Sequence, residues 1–252
     1  GYKTSKTGFS FSTSFEQYED FYISPNISIF GENLDTNSNA SSQLKKQDGN
    51  YFDTDFQYSL IKDKRNQRFQ PTEGYRYSFT QKIPIISDGS TFVHGFDASS
   101  YYTFNENFIG AFRLYSRAAN TLSNDDDVRI SERIYIPSKY LRGFEYGKIG
   151  PKDAGDYIGG NYAAAASASV TMPNAFSNFQ NTELSWFIDA GSVWAVDYNR
   201  NLPESSTLRS SVGLALDWIT PVGPFTFSYA EPITKDDTDK TESIRFNIGT
   251  TF

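Results

Sequence analysis

Cysteine is absent from this chain, and histidine and methionine occur once each in its 252 residues. Without cysteine there can be neither a disulfide nor a thiolate metal site. Long hydrophobic runs are missing too. Hydrophobic residues make up only 38% of the sequence, the mean hydropathy is -0.53, and no window of about 18 apolar residues could form a membrane-spanning helix. Positive charge is in deficit, with a formal net charge of -7 and a pI near 4.8. A general nucleic-acid binder needs Lys and Arg clustered along a groove, so no nucleic-acid partner is expected. Helical periodicity of useful length is also absent. The chain begins at Gly1 without an initiator Met, a basic n-region or an apolar h-region, as a processed chain or a fragment would.

What the chain does have is aromatic residues, 22 Phe, 17 Tyr and 3 Trp in an otherwise polar sequence. Aromatics spread through polar sequence suit a membrane barrel with aromatic girdles and a wet interior. Period-two alternation recurs about eleven times, each run near the roughly 9 to 11 residues that a tilted strand needs to cross a bilayer. One run sets Phe9, Phe11 and Phe15 against Ser10, Ser12 and Ser14; another sets Phe52, Phe56, Tyr58 and Leu60 against Asp53, Asp55, Gln57 and Ser59. Faces that polar cannot form the core of a sandwich. Further runs cover 21–29, 75–83, 92–104, 108–117, 162–172, 183–194, 211–219 and 225–229.

The last run places Ile244, Phe246, Ile248 and Phe252 on one face and Arg245, Asn247, Gly249 and Thr251 on the other. Taken alone, that stretch fits a half-buried soluble strand better than a membrane strand. The connections tip the balance the other way, because short turns at 17–19, 71–74, 105–107, 173–181 and 221–224 alternate with polar connections at 32–50, 87–90, 118–160, 195–208 and 231–242. Only 87–90 is too short for the pattern. Short turns on one side and long loops on the other mark an all-β, antiparallel outer-membrane barrel with its turns in the periplasm. The final strand then descends, placing Phe252 at the periplasmic end. Bacterial single-chain barrels have even strand numbers, so an odd count near eleven implies the C-terminal portion of a larger barrel across 1–252.

The segment 118–160 is too long for a passive connection in a compact barrel. It contains Leu141, Arg142, Gly143 and Phe144, then Gly147, Ile149, Gly150 and Pro151. Alternation in Ser185, Trp186, Phe187, Ile188 and Asp189 turns Asp189 into the lumen if Trp186 and Ile188 face lipid. A loop folded inward could then present Arg142 to Asp189 as a planar, bidentate pair. A solvated arginine in a surface loop is the competing reading.

Four ordered motifs, Leu141–Phe144 with 147–151, the run 187–194, the stretch 218–232 and the terminal Phe246, Asn247, Ile248, Gly249 and Phe252, resemble the barrel of the BamA family of bacterial outer-membrane protein assembly translocases. The resemblance implies a sixteen-stranded barrel, of which this chain would hold roughly the last eleven strands, with periplasmic POTRA domains upstream. It also implies an inward-folded sixth extracellular loop whose Arg-Gly-Phe tip meets an acidic residue of the wall, matched here by Arg142 and Asp189. A glutamate common on the preceding strand is replaced by Ser169, and a usual pair of glycines before the tip by Pro137 and Ser138. The implied partners are nascent outer-membrane proteins, assembly-complex lipoproteins, membrane lipid and lipopolysaccharide, with no cofactor and no metal. The implied location is the bacterial outer membrane. The seam strand carries the mechanism in this reading: Gly249, lacking a side chain, weakens or kinks it and lets a lateral gate open beside Phe246 and Phe252.

Competing readings are a two-partner-secretion type transporter of the same superfamily and a passive porin, with Arg113 and Arg117 at an anion-attracting constriction. No enzyme is expected. His94 shares a lipid-side face with Phe92 and Phe96, Gly159 and Gly160 precede no helix that would make a phosphate loop, and the acidic loop residues match no ligand template. Those residues, among them Asp125, Asp126, Asp127, Asp236, Asp237 and Asp239, read as solvated.

Overall fold

The computed structural model describes all residues except 124–125, 174, 177–180, 200–201, 203–205, 221–222 and 249–252. Eleven strands follow one another along one sheet: β1 (Tyr2–Ser12), β2 (Phe21–Thr36), β3 (Gly49–Asp63), β4 (Gly74–Ser87), β5 (Thr91–Asn105), β6 (Phe108–Thr121), β7 (Tyr162–Pro173), β8 (Thr182–Trp194), β9 (Arg209–Thr220), β10 (Gly223–Thr234) and β11 (Ile244–Ile248). Each is antiparallel to the next, and Phe15–Tyr18 pairs with the start of β2. Two short helical turns, Ser42–Lys45 and Ile130–Glu132, lie in the connections. Among the described residues the sheet does not close on itself, and β1 and β11 are its edges.

The two faces divide as alternation dictates. Phe11, Tyr102, Phe112, Trp186, Ile188 and Ile248 stand exposed on the outside, where hydrocarbon would cover them. Asp53, Asp55, Ser167, Ser185, Asp189 and Ser211 are buried on the inside. His94 packs edge-on against Phe92, with ring centroids 4.3 Å apart, and contacts the Gln81 amide through Nδ1 at 3.1 Å.

The strands run further than their apolar sequence. β6 continues to Thr121, still paired with β5 and reached by Tyr162 of β7, so the long inward segment is 122–161 rather than 118–160. Glu32 likewise belongs to β2, whose ladder with β3 runs out to Leu34 opposite Gly49. Ladder hydrogen bonds need no apolar residues, so strands extend past the hydrophobic band. The connection 88–90 is a tight turn, an exception to the long-loop side. Gly249, Phe252 and Pro221 fall outside the described residues.

The interior departs from a uniformly wet lumen. The loop brings Val128, Ile134, Ile136, Tyr140, Leu141, Phe144 and Ile149 against Tyr115, Ala119, Ala163, Ala165 and Val193 of the wall, forming the largest buried cluster. The wall makes room with small residues. Ala163 and Ala165 face inward on β7, and a Cβ on Gly191 would come within 3.0 Å of Ile136 Cδ1.

Candidate functional site: the loop tip and its wall

Side-chain alternation brings Asp189 of β8 into the lumen, where its side chain is 0% exposed and lies directly opposite Ser167 of β7. Arg142 reaches it from the loop. Arg142 Nε donates to Asp189 Oδ2 at 2.8 Å and Nη2 donates to Oδ1 at 2.7 Å, the two-point geometry that only a guanidinium offers a carboxylate. The Arg142 backbone N–H donates to the same carboxylate at 3.0 Å, and Nη2 also donates to Ser167 Oγ at 3.0 Å. The guanidinium carbon sits 3.3 Å from the centroid of the Phe187 ring, a cation–π contact that shields the pair from water. Ser211 Oγ of β9 donates to the Arg142 carbonyl at 2.5 Å. Alternation along β8 and its neighbours therefore supplies the aromatic floor and the small hydroxyls that a buried charge needs.

Around the tip, Leu141, Gly143 and Phe144 are buried. Gly143 has φ +87, and a Cβ there would lie 3.2 Å from Ser211 Cβ and 3.3 Å from Ala230 Cβ. A left-handed conformation costs an L-residue about 1–2 kcal/mol, so Gly143→Ala is expected to weaken the tip's seat while leaving the barrel folded. Faster proteolysis of the loop in the folded variant is the check.

Ser169 faces the lumen on β7 but sits opposite Phe187, one inward position beyond the arginine. Ser167 is the serine that touches Arg142. Alternation put both on the inner face, and only the loop's path decides which one is reached. Arg117 is paired with Asp97 at 2.7 Å, while Arg113 lines a cavity of about 620 Å³ beneath the tip together with Arg76, Lys139, Glu183 and Asp217.

Other anchors carried no sequence motif. Arg129 donates from Nη1 to Glu32 Oε2 at 2.7 Å and to Asp53 Oδ2 at 2.8 Å, with its guanidinium 3.8 Å from the Tyr51 ring centroid. Arg133 donates to Asp197 Oδ1 at 2.6 Å. Of the acidic residues read as solvated, Asp239 turns its carboxylate inward, where Arg209 chelates it from Nε at 2.9 Å and Nη2 at 3.0 Å, with both side chains 0% exposed. Asp126 is exposed and accepts from Ser90 Oγ at 2.6 Å. Arg129 and Arg133 lie four positions apart in an acidic chain, which was the available signal; their partners lie too far away in sequence to be named.

Burial works against the charge on Asp197, but Arg133 beside it and donors from Val128 and Asn161 outweigh that and hold its carboxyl below the ordinary range. A depressed folded pKa stabilises above the unfolded value of about 3.9 and is lost as pH falls through the folded one. The outer part of the loop is therefore expected to keep its protease resistance down to about pH 5 and lose this contribution only below about pH 4. Proteolysis across that range measures it.

An antiparallel sheet with an apolar exterior, and a long loop folded into its lumen and pinned there by an arginine on a wall aspartate, defines a transmembrane β-barrel with an internal loop. The chain belongs to the Omp85 superfamily, whose domain model matches residues 1–252. It is 27% identical over 258 residues to the outer-membrane protein assembly factor BamA of Neorickettsia risticii, covering 100% of this chain and 34% of that protein. It is 34% identical over 139 residues to BamA of Neisseria meningitidis, covering 44% of this chain and 17% of the relative. A SAM50-like protein of Schizosaccharomyces pombe is 25% identical over 228 residues, covering 84% of this chain and 47% of its own. Among solved structures, BamA from Haemophilus ducreyi lacking POTRA domains 1–3 superposes with a TM-score of 0.85 at 25% identity, covering 97% of this chain and 54% of that one. CdiB from Acinetobacter baumannii shares the fold, with a TM-score of 0.61 at 12% identity over 96% of this chain and 41% of its own. The chain thus spans about a third of the Neorickettsia protein.

Proposed function

We propose that this barrel, as part of a longer protein, folds and inserts β-barrel proteins into the bacterial outer membrane through a lateral gate at its seam. Likeness to BamA along the whole chain supports the assembly role and the location. The observation that carries the gate is the terminal strand. Among the described residues β11 lies at the edge of the sheet and pairs only with β10, from Tyr229 opposite Ile244 to Phe225 opposite Ile248. A strand at a sheet edge is held by a ladder on one side only, and its open side is a template for another strand. Hydrocarbon cannot satisfy bare backbone groups, so the edge opens only as a client strand pairs with it. The clients are nascent outer-membrane proteins, assembly lipoproteins are its partners, and lipid and lipopolysaccharide surround the wall. The process makes no covalent bond. The loop that fills the lumen between β6 and β8 disfavours a porin.

This chain brings no cysteine of its own to compete with an engineered disulfide. Joining β11 to the first strand of the full-length barrel should abolish assembly, and a reductant should restore it. Normal assembly by the locked barrel overturns the gate.

A further inference from the structure

The loop tip does not stop at the wall. Gly143–Phe144 pairs in antiparallel fashion with Thr241–Glu242, in the connection that leads directly into β11, with Thr241 opposite Phe144 and Glu242 opposite Gly143. The pairing is extended by Glu145 N–H donating to the Lys240 carbonyl at 3.0 Å and Lys240 N–H donating to the Lys148 carbonyl at 3.1 Å. Tyr157 O–H donates to the Thr238 carbonyl. Asp239 of the same connection is the residue that Arg209 of β9 chelates, its side chain fully buried. Arg245, the second residue of β11, turns inward. It donates from Nη2 to the Phe144 carbonyl at 3.0 Å and from Nε to Glu242 Oε2 at 2.8 Å.

From this arrangement we infer that the loop tip is a latch on the terminal strand, with Arg245 as its positioning residue. Among the described residues β11 is paired on one side only, so the inward grip of Phe144, Glu242 and Arg245 adds to what holds its loop-side end. Asp189 fixes Arg142, Arg142 fixes Gly143 and Phe144, and these fix the chain entering β11. The loop-side end of β11 is thereby held while Arg142 stays on Asp189, and releasing the tip frees it. The inference rests on reading β11 as the seam strand, but the coupling between loop and strand is measurable without any client.

Backbone hydrogen exchange of the full-length protein in lipid bilayers tests it. In Arg142→Ala and Arg245→Ala, exchange across 244–248 should accelerate about tenfold, the loss of one charge-assisted hydrogen bond expressed as an opening equilibrium. Arg245→Lys, which keeps a donor for one of the two acceptors, should fall between. Arg133→Gln, which frees the loop from Asp197 instead, should leave 244–248 at the wild-type rate. Unchanged exchange at 244–248 in Arg142→Ala and Arg245→Lys, or an equal rise in Arg133→Gln, overturns the latch. If the coupling appears but a seam-locked barrel still assembles clients, the latch stands and the gate falls.

Discussion

Replacing Arg142 with alanine is expected to abolish assembly in cells depleted of the wild-type protein while the variant still reaches the membrane. The side chain is the centre of the tip's contacts. Its removal leaves Asp189 fully buried beside the residue-142 backbone N–H but without its cation, strips the guanidinium from the Phe187 ring, and loosens the seat of Leu141 and Phe144. Breaking a buried pair by removing one partner costs about 3–5 kcal/mol, because the remaining charge is uncompensated. Strands β6 to β10 keep their ladders, so the barrel survives while the loop leaves the wall. Arg142→Lys should restore part of the charge interaction but not the two-point geometry, giving an intermediate phenotype. Removing both partners should cost less than the sum of the two single changes, as coupled residues do. A fully active Arg142→Ala protein with its loop still protease-resistant would return Arg142 to the status of an ordinary surface residue.

Arg129→Ala is expected to be the most destabilising change in the outer part of the molecule. Glu32 and Asp53, 0% and 2% exposed as side chains, converge on one guanidinium from neighbouring strands. Without it, two carboxylates face each other out of water, and the cost should reach several kcal/mol. Lys6 remains 3.5 Å from Glu32, and Ser87 still donates to Asp53, so the loss is partial. The unfolding temperature of the barrel should fall, and the loop should become protease-sensitive between 122 and 134. Adding Glu32→Gln, which removes one of the opposed charges, should recover part of the loss. An unchanged unfolding temperature in Arg129→Ala would mean that the cluster is solvated.

How much of this was legible in the sequence depends on the range over which each feature is determined. Strand faces are set by period-two alternation, so the outward Trp186 and Ile188 and the inward Asp189 could be read directly. The residues alone left the Arg142 to Asp189 pairing open against a solvated arginine in a surface loop, and the resemblance to the BamA family is what favoured it. The limit was the path of the loop. Nothing local distinguishes Ser167 from Ser169 on the same face of β7, and nothing marks the Asp239 side chain as buried beside Asp237, since Arg209 lies on another strand. Arg129 could be seen as a cation in an acidic chain, but Glu32 was hidden because the polar end of β2 looks like a loop. The hydrophobic lumen was hidden in a similar way: Ile134, Ile136 and Ile149 lie apart in an irregular segment and meet only when the loop turns inward.

The central claim, that the edge at β11 templates client strands, is tested most directly by a photoreactive side chain at Phe246, which stands 46% exposed on the outer face of that strand. Irradiation during outer-membrane protein synthesis should give adducts between this residue and nascent barrel proteins, and none from the same probe at Ile188, which faces outward on β8 away from the edge. Adducts with lipid alone at Phe246, or equal client adducts at both positions, would contradict it.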